Sequence, residues 1–298
     1  MRIGIDLGGT KTEVLALDEH DQVLHQARIA TPKNDYHASL LAIHQLVSET
    51  EAICKTRGTV GIGTPGALSP STGRLRNCNS TCLNNQYFLE DISQLLEREV
   101  RVSNDANCFA LSEATDGAAS DYTVVLGVIL GTGCGAGIVI DKKILPGAQA
   151  IAGEWGHNPL PLASSEELAS QCWCGRRGCI ETFVSGPALE NHYRTVSQQS
   201  KSCYQIIELA EQGDAQAEYV LQNYEVRLAK SLALVINILD PEVIVLGGGL
   251  SNIERLYENI PRLWQAYIFS DRVRTKLIAP QFGDSSGVRG AAWLWPKT

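Results

Sequence analysis

The sequence has no long hydrophobic run, no basic segment at its N-terminus and no excess of positive charge. Its apolar runs, such as Val124–Leu130 and Val243–Leu246, are much shorter than the roughly 20 residues of a membrane-spanning helix. Because nothing resembles a secretory leader, we expect a cytoplasmic protein. The net charge of −8 argues against a nucleic-acid-binding surface. It does not exclude anionic substrates, since glycine-rich turns bind phosphate through backbone N–H groups.

The composition is that of a globular protein with one unusual feature, its cysteines. The 298 residues are 44% hydrophobic and 19% charged, which excludes disordered and collagen-like classes and favours about two domains. Without a secretion signal, the nine cysteines should be reduced thiols. Three of them cluster within eight residues. Six are scattered, as is typical of small buried hydrophobes: Cys54, Cys78, Cys82, Cys108, Cys134 and Cys203.

Each half of the chain begins with strands joined by turns and continues with alternating helices and strands. Apolar spacing predicts helices such as His37–Arg57 and Ala215–Leu239, whereas Gly147–Gly186 is predicted to be irregular. This order indicates an α/β fold with two similar domains and a cleft between them. We expect a small domain at 1–117 plus 284–298, because the helix after Asp284 should return to it, and a large domain at 118–283.

Three glycine clusters each follow an apolar strand. A tight hairpin turn alone favours glycine, but glycine also lets the backbone approach an anion closely. Three clusters at strand ends favour a nucleotide site. The clusters are Gly8-Gly9-Thr10-Lys11, Gly131-Thr132-Gly133-Cys134-Gly135 and Gly247-Gly248-Gly249.

Two other nucleotide-binding motifs are weighed against these turns. A P-loop is excluded because Thr10, not glycine, precedes Lys11. The spacing Gly131-x-Gly133-x-x-Ala136 matches a dinucleotide fingerprint and makes an NAD-dependent dehydrogenase the rival hypothesis. That fingerprint requires a helix immediately afterwards, whereas Gly137–Ile140 alternates like a strand. A hairpin whose turn binds phosphate is therefore favoured.

Two aspartates lie next to strand ends where chemistry could occur. Asp6 precedes the first turn and could hold Mg²⁺ against phosphates, or simply cap the turn. Asp105 joins a strand to a helix, so Asp105 or Asn104 could be a helix N-cap. Alternatively, Asp105 could accept a proton from a substrate hydroxyl during phosphoryl transfer.

The clustered cysteines have the composition of a zinc site. Cys172, Cys174 and Cys179, with His157 fifteen positions before Cys172, provide three thiolates and one imidazole. Incidental reduced thiols are the alternative. Glu154 and Glu181 flank the cluster in sequence, so a metal there would immobilise two carboxylates suited to binding sugar hydroxyls. Ordinary surface charge is the alternative for either glutamate.

Together these motifs resemble the ROK family of bacterial sugar kinases and repressors, which has the hexokinase/actin-like (ribonuclease H-like) ATPase fold. ROK repressors carry an additional N-terminal helix-turn-helix. Here the phosphate turn begins near residue 6 and the chain is acidic, so we expect an enzyme. The motifs, in family order, are DLGGTK (6–11), GTPG (63–66), NDAN (104–107), GTGCGAG (131–137), GEWGH (153–157), CWCGRRGCIE (172–181) and LGGG (246–249).

The resemblance implies roles for residues that match these motifs. Asp105 is the implied catalytic base. The resemblance assigns zinc to His157, Cys172, Cys174 and Cys179, whereas magnesium is assigned to Asp6 from its position before the first turn. The implied sugar-binding residues are Gly66, Asn79, Ser80, Asn84, Asn104, Asp105, Glu154, His157 and Glu181. The implied ATP-binding residues are Gly4, Asp6, Gly8, Gly9, Thr10, Lys11, Gly131, Thr132, Gly133, Cys134, Gly135, Gly137, Gly247, Gly248 and Gly249.

The stretch NCNSTCLNNQ (77–86) before GEWGHNPLP looks most like the fructokinase/mannokinase branch of the family. We therefore expect an ATP-dependent fructokinase that also accepts mannose or glucose, with ATP, Mg²⁺ and structural Zn²⁺ as cofactors. An N-acetylglucosamine kinase of the same family is the alternative substrate class. A sugar sensor without catalysis is the alternative from another functional class. Family precedent suggests a homodimer, with no nucleic-acid or membrane partner.

Overall fold

Two five-stranded sheets organise the protein in the computed structural model, which describes residues 1–297. The strands are β1 (Arg2–Leu7), β2 (Lys11–Leu17), β3 (Val23–Ala30), β4 (Thr59–Thr64), β5 (Ala67–Leu68), β6 (Leu75–Arg76), β7 (Val100–Asn104), β8 (Val124–Leu130), β9 (Cys134–Ile140), β10 (Lys143–Ile144), β11 (Val243–Gly247) and β12 (Lys276–Ile278). The helices are α1 (Tyr36–Cys54), α2 (Phe88–Leu95), α3 (Asp105–Thr115), α4 (Ser165–Leu168), α5 (Glu181–Val184), α6 (Gly186–Ser197), α7 (Cys203–Glu211), α8 (Ala215–Leu239), α9 (Arg255–Leu263) and α10 (Ser286–Ala292).

The two large sheets follow the same plan. The first has strand order β3-β2-β1-β4-β7, and the second has order β10-β9-β8-β11-β12. In the first, β1 is antiparallel to β2 and parallel to β4, with Ile5 opposite both Val14 and Ile62. In the second, β11 is parallel to both β8 and β12. Each sheet therefore joins an antiparallel meander to parallel strands, as the order of predicted elements in each half of the chain indicates.

The chain divides into two units. Unit 1 comprises 1–120, 137–152 and 284–298, and unit 2 comprises 121–136 and 153–283. This division assigns 137–152 to unit 1, whereas the sequence-based division includes it in 118–283. The physical reason is close packing on α3, because a Cβ on Gly137 would lie 2.5 Å from the carbonyl oxygen of Ala106.

Unit 1 is built around the buried face of its sheet. Ile3, Ile5 and Ile62 are fully buried and pack in one apolar cluster with α1 and α2 residues. Helix α10 packs against β1, β4 and α3. It approaches so closely that a Cβ on Gly4 would lie 2.0 Å from the carbonyl oxygen of Val288. Val288 and Ala292 of α10 form a second, smaller apolar cluster with Leu15 and Leu17 of β2.

Unit 2 is centred on the long helix α8, which confirms the predicted helix Ala215–Leu239. Its N-cap is Asp214, whose carboxylate accepts from the Ala217 N–H, and it ends at Asp240 in the left-handed conformation. The segment predicted to be irregular does contain the short helices α4 and α5 and a 3₁₀ turn at Trp155–His157. These elements are too short to produce apolar periodicity. Among residues 1–297, no helix is long and apolar enough to cross a membrane.

Candidate functional site

The first glycine turn joins β1 to β2 and is closed by a short backbone hydrogen bond. The Gly8 N–H donates to the Lys11 carbonyl at 3.0 Å, and a Cβ on Gly8 would lie only 2.8 Å from that oxygen. The Thr31 hydroxyl donates to the Gly8 carbonyl at 2.7 Å. A cavity of about 300 Å³ lies beside this turn, lined in part by Gly8, Gly9, Thr10, Lys33, Asn79, Ser80 and Cys82.

Asp6, near the end of β1, lies in a carboxylate-rich environment. Burial above all, together with the negative charges of Asp105 and Glu13, raises the pKa of Asp6 to about 7, and the positive charge of Arg28 opposes this rise. The structure therefore brings Asp6 and Asp105 close enough to interact electrostatically. A divalent cation would relieve this repulsion, and carboxylate oxygens are ligands that Mg²⁺ prefers. The donor set is thus suited to a magnesium ion.

The junction between β7 and α3 positions Asp105. Asn104 is the N-cap of α3, and its side-chain oxygen Oδ1 accepts from the Ala106 N–H at 3.0 Å. Its amide nitrogen donates to the Gly66 carbonyl at 3.0 Å. Gly66 has a φ of +71°, and a Cβ there would meet the Arg76 carbonyl at 2.2 Å. Asn104 and Gly66 therefore fix the local backbone, and Asp105 occupies the first helical turn.

The loop over residues 79–84 is held by its own polar side chains. Asn84 accepts from the Cys78 N–H at 2.9 Å and donates to the Cys78 carbonyl at 3.0 Å. Asn79 accepts from the Ser80 N–H at 2.7 Å. A Cβ on Gly9 would lie 3.2 Å from the Ser80 hydroxyl, so this loop lies against the first glycine turn. The Asn84 side chain thus holds the loop together. This is a common role of asparagine in turns and is the alternative to sugar binding.

The second glycine turn joins β8 to β9 and is held by residues about fifty positions later. The Gly131 N–H donates to the Gly133 carbonyl at 3.0 Å, and the Gly186 N–H donates to the Gly131 carbonyl at 2.8 Å. Glu181 Oε2 accepts from the Cys134 N–H at 2.9 Å. A Cβ on Gly133 would lie 2.7 Å from the same oxygen. Glycine at 133 therefore makes room for the Glu181 carboxylate. Thr132, at the tip of this turn, is exposed.

Strand β9 begins at Cys134, directly after this turn, so the helix that a dinucleotide fingerprint requires is not there. This confirms the rejection of the dehydrogenase hypothesis. The third cluster follows β11 in the same unit. Gly248 has a φ of +79° and approaches the Leu130 carbonyl, and the Ser251 hydroxyl donates to the Gly248 carbonyl at 2.7 Å. Gly249 begins a 3₁₀ turn.

Gly4 and Gly137, expected to bind nucleotide, have packing roles in the structure. Gly4 is buried against α10, and Gly137 lies against α3, where an added Cβ would meet backbone atoms at 2.0 and 2.5 Å, respectively. Their missing side chains allow a helix to approach a strand. The sequence pattern that suggested them, glycine within a strand next to a glycine turn, does not distinguish close packing from ligand contact.

The cysteine and histidine side chains form one cluster with the dimensions of a zinc site. The ligand atoms of His157, Cys172, Cys174 and Cys179 all lie within 4.8 Å of one another. Cys172 Sγ is 3.7 Å from His157 Nδ1, and the Cys174 and Cys179 sulfurs are 3.7 Å apart. Tetrahedral zinc with Zn–S bonds near 2.3 Å places sulfurs about 3.8 Å apart. The three thiols and one imidazole therefore fit a tetrahedral zinc ion. The chemistry of this donor set points to a structural ion.

The carboxylates flanking this cluster differ in their surroundings. Glu154 is exposed and precedes the 3₁₀ turn that carries His157. Glu181 is the first residue of α5, and its second oxygen, Oε1, accepts from the Trp173 indole N–H at 2.5 Å. The sequence-based site omits Trp173. Its position between two candidate zinc ligands is the signal that could have identified it.

Comparisons with known proteins agree with this architecture. The model of the ROK family matches residues 2–298. An N-acetyl-D-glucosamine kinase from Yersinia enterocolitica is 38% identical over 299 residues, which cover 99% of each chain.

Two solved structures are also similar. A ROK hexokinase from Thermus thermophilus has a TM-score of 0.87 and 29% identity, covering 98% of this chain and 96% of that one. A ROK family glucokinase from Streptomyces griseus, in complex with glucose and AMPPNP, has a TM-score of 0.81 and 26% identity, covering 100% and 99%. Sequence motifs, sheet topology and these similarities converge: the chain belongs to the ROK family and has its α/β hexokinase-like, actin-type ATPase fold.

Proposed function

We propose that this protein is an ATP-dependent sugar kinase that transfers the γ-phosphoryl group of ATP to the 6-hydroxyl of N-acetyl-D-glucosamine. The choice of substrate rests on the 38% identity to an N-acetyl-D-glucosamine kinase over 99% of both chains. The glucokinase with bound glucose and AMPPNP supports the reaction class, because it has the same fold.

This proposal corrects the fructokinase expected from the sequence. That expectation relied on the asparagine- and serine-rich stretch 77–86, whose side chains were expected to contact sugar hydroxyls. The curated N-acetyl-D-glucosamine kinases contradict it, since they are similar along the whole chain. The hydrogen bonds of Asn84 and Asn79 to neighbouring backbone explain why such a stretch can occur without defining a particular sugar.

In the proposed mechanism, Asp105 accepts the proton of the attacking hydroxyl. Its place on the first turn of α3 keeps the carboxylate at a fixed point after β7, and Asn104 holds that turn by capping it. Asp6 would hold Mg²⁺, which when bound neutralises phosphate charge. Glu154, His157 and Glu181 would bind sugar hydroxyls.

The nucleotide would be held by the three glycine turns. Within the Gly8–Lys11 and Gly131–Gly135 turns, the exposed residues Gly9, Thr10 and Thr132 would present backbone N–H groups to phosphate oxygens, and Gly247–Gly249 would flank the adenosine. The absence of a side chain at Gly131, where an added Cβ has nothing within 4 Å, leaves that turn open to a ligand. The zinc cluster would contribute no chemistry to the reaction and would fix the segment that carries Glu154 and Glu181.

The decisive test is ADP release with purified protein, ATP–Mg²⁺ and a sugar panel of N-acetylglucosamine, fructose, mannose and glucose. We expect kcat/KM for N-acetylglucosamine to exceed that for each other sugar by at least tenfold. Faster turnover of fructose would overturn the substrate assignment but keep the kinase. If no sugar releases ADP, the protein is not a kinase, and sugar binding measured by calorimetry would then identify a sensor.

Two further predictions concern the state of the protein in the cell. We propose a homodimer located in the cytoplasm. Sedimentation of the purified protein at several concentrations tests the dimer, and a mass of one chain, 32.3 kDa, at all of them would contradict it. Cell fractionation tests the location.

A further inference from the structure

The Glu181 carboxylate is held from two sides. Oε2 accepts from the Cys134 backbone N–H at 2.9 Å, and Oε1 accepts from the Trp173 indole N–H at 2.5 Å. Hydrogen bonds to a carboxylate are charge-assisted and stronger than neutral ones. An ionised carboxylate has about four acceptor positions, so both oxygens can still accept from a ligand hydroxyl.

Trp173 has an unusual environment for a tryptophan. Its side chain is 68% exposed, so it contributes little to the core. Its ring makes an edge contact with His157, with centroids 5.2 Å apart and planes at 80°. The backbone on both sides belongs to candidate zinc ligands, Cys172 and Cys174. A metal bound to this cluster would therefore fix the backbone that carries the indole, and the indole N–H donates to Glu181.

We infer that Trp173 is a positioning residue, which orients the Glu181 carboxylate and connects the Cys/His cluster to the second glycine turn. The terminal torsion of a glutamate is intrinsically broad, so a free carboxylate samples many orientations. The indole N–H on one oxygen and the turn N–H on the other restrict it to one. The inference rests on the proposed function only for the statement that Glu181 binds sugar.

Loss of the metal should release the Glu181 carboxylate from Trp173. Without the metal, Cys172 and Cys174 no longer fix the Trp173 backbone, and the indole can leave Glu181. The carboxylate then keeps only its bond to Cys134. We expect the sugar affinity to fall before the fold of unit 2 is lost, since the bulk of that unit is formed by α8 with its neighbouring helices and by strands β8, β11 and β12.

The experiment uses the zinc-loaded full-length protein labelled with ¹⁵N-indole tryptophan. Five indole N–H resonances are expected from the five tryptophans, and Trp173→Phe identifies one by its loss. We expect that resonance to shift in Glu181→Gln, because the acceptor loses its charge. This arm needs no turnover, so it tests the hydrogen bond even if the proposed substrate is wrong.

The second arm measures kinetics with whichever panel sugar the unsubstituted enzyme uses best. Trp173→Phe should raise the KM for sugar about tenfold with kcat within threefold and zinc content unchanged. In a Glu181→Gln background, the same substitution should change KM by less than twofold, because its target is gone. Tyr219→Phe, an exposed aromatic in unit 2 that loses only its hydroxyl, is the matched control and should change nothing.

Three results would overturn the inference. The first is a Trp173 resonance that does not move in Glu181→Gln. The second is an equal KM effect of Trp173→Phe in both backgrounds, or no effect in the unsubstituted one. The third is loss of zinc from Trp173→Phe, which would give the residue a structural role only. If the unsubstituted enzyme turns over no sugar, sugar Kd values from calorimetry replace KM.

Discussion

The two glycine turns that begin the two sheets have the same topology but are held in different ways. The first is held locally, by Thr31 at the end of the same meander, through its hydroxyl bond to Gly8 and its N–H bond to the Thr10 carbonyl at 3.0 Å. The second is held by Glu181 and Gly186, which follow the Cys/His cluster in the chain.

The two turns therefore depend on different parts of the chain. The hydrogen bonds that hold the first turn all come from residues 8–31, so it should form whenever its sheet forms. The second turn depends on a segment that has little regular secondary structure. This segment contains the four candidate metal ligands, and a bound metal would fix it. The neighbours differ as well, since the first turn lies near Asp105 and Asp6, which we propose accept the proton and hold magnesium, whereas the second lies near Glu181, which we propose binds sugar. Perturbing one turn should therefore leave the other intact.

The largest effect is expected at Asp105, beside the first turn. Asp105→Asn removes the proton acceptor but leaves the Asn104 cap of α3 in place, so kcat should fall about a thousandfold with unchanged thermal stability. Steady-state kinetics and circular dichroism measure both. Asp35→Asn, which alters the N-cap of α1 in the same unit, is the control and should keep kcat within twofold. A kcat for Asp105→Asn within tenfold of the unsubstituted enzyme would reject Asp105 as the base.

The next effect concerns only the second turn. Cys179→Ser should eliminate bound zinc, about one ion per chain by elemental analysis, and lower stability by about 3 kcal/mol, a melting shift of roughly 6–10 °C. Cys203→Ser, a half-buried thiol of the same unit outside the cluster, should lower it by less than 1 kcal/mol. If the unsubstituted protein contains no zinc and keeps its melting temperature in the presence of a chelator, the Cys/His cluster is not a metal site.

A smaller effect distinguishes two glycines within the second turn. Gly133→Ala places a Cβ 2.7 Å from Glu181 Oε2 and should displace the carboxylate, raising the sugar KM about tenfold, or about 1.4 kcal/mol. Gly131→Ala meets nothing within 4 Å and should keep both stability and sugar KM. Similar sugar KM values for the two variants would show that Glu181 does not depend on this turn.

The smallest effect is a pH dependence at the first turn. Because the pKa of Asp6 is raised to about 7, the folded state binds this proton more tightly than the unfolded chain does. Proton binding by Asp6 therefore stabilises the folded state fully below about pH 4, and this stabilisation is lost as the pH rises through 7. Asp6→Asn should gain about 1 kcal/mol relative to the unsubstituted protein between pH 4.5 and pH 8 in magnesium-free buffer, since Asp6 is only partly buried.

Chemical unfolding at both pH values measures this difference. Asp18→Asn, on the β2–β3 turn, is the control and should keep the pH dependence of the unsubstituted protein. A parallel pH dependence in the unsubstituted protein and Asp6→Asn would contradict the carboxylate cluster.

Much of the architecture follows from local sequence signals. Alternating apolar residues around glycine turns predict the two meanders, and apolar spacing over Ala215–Leu239 predicts α8 to the residue. The Cys/His ligand set is also predictable, because four residues with zinc-binding chemistry occur in one segment. The helices of Gly147–Gly186 could not be predicted, since four-residue helices show no periodicity.

The role of a residue is harder to predict from the sequence when it depends on the groups that surround its side chain. Asn84 and Asn79 have the composition expected of a sugar site, yet their hydrogen bonds go to the adjacent backbone. Gly4 and Gly137 look like ligand-binding glycines, yet helices pack on them. The same residue type serves both purposes, so only its neighbours decide between them.

The sequence by itself determined the ROK family motifs, the strand meanders, the acidic surface charge and the ligand set of the Cys/His cluster. Each of these depends on residue type and short spacing, which are written directly in the chain. Only the tertiary structure decided that 137–152 joins unit 1, that Glu181 holds the second turn and that Trp173 holds Glu181. Those facts depend on contacts between residues that can be distant in sequence, where the free energy of packing and hydrogen bonding outweighs local preference.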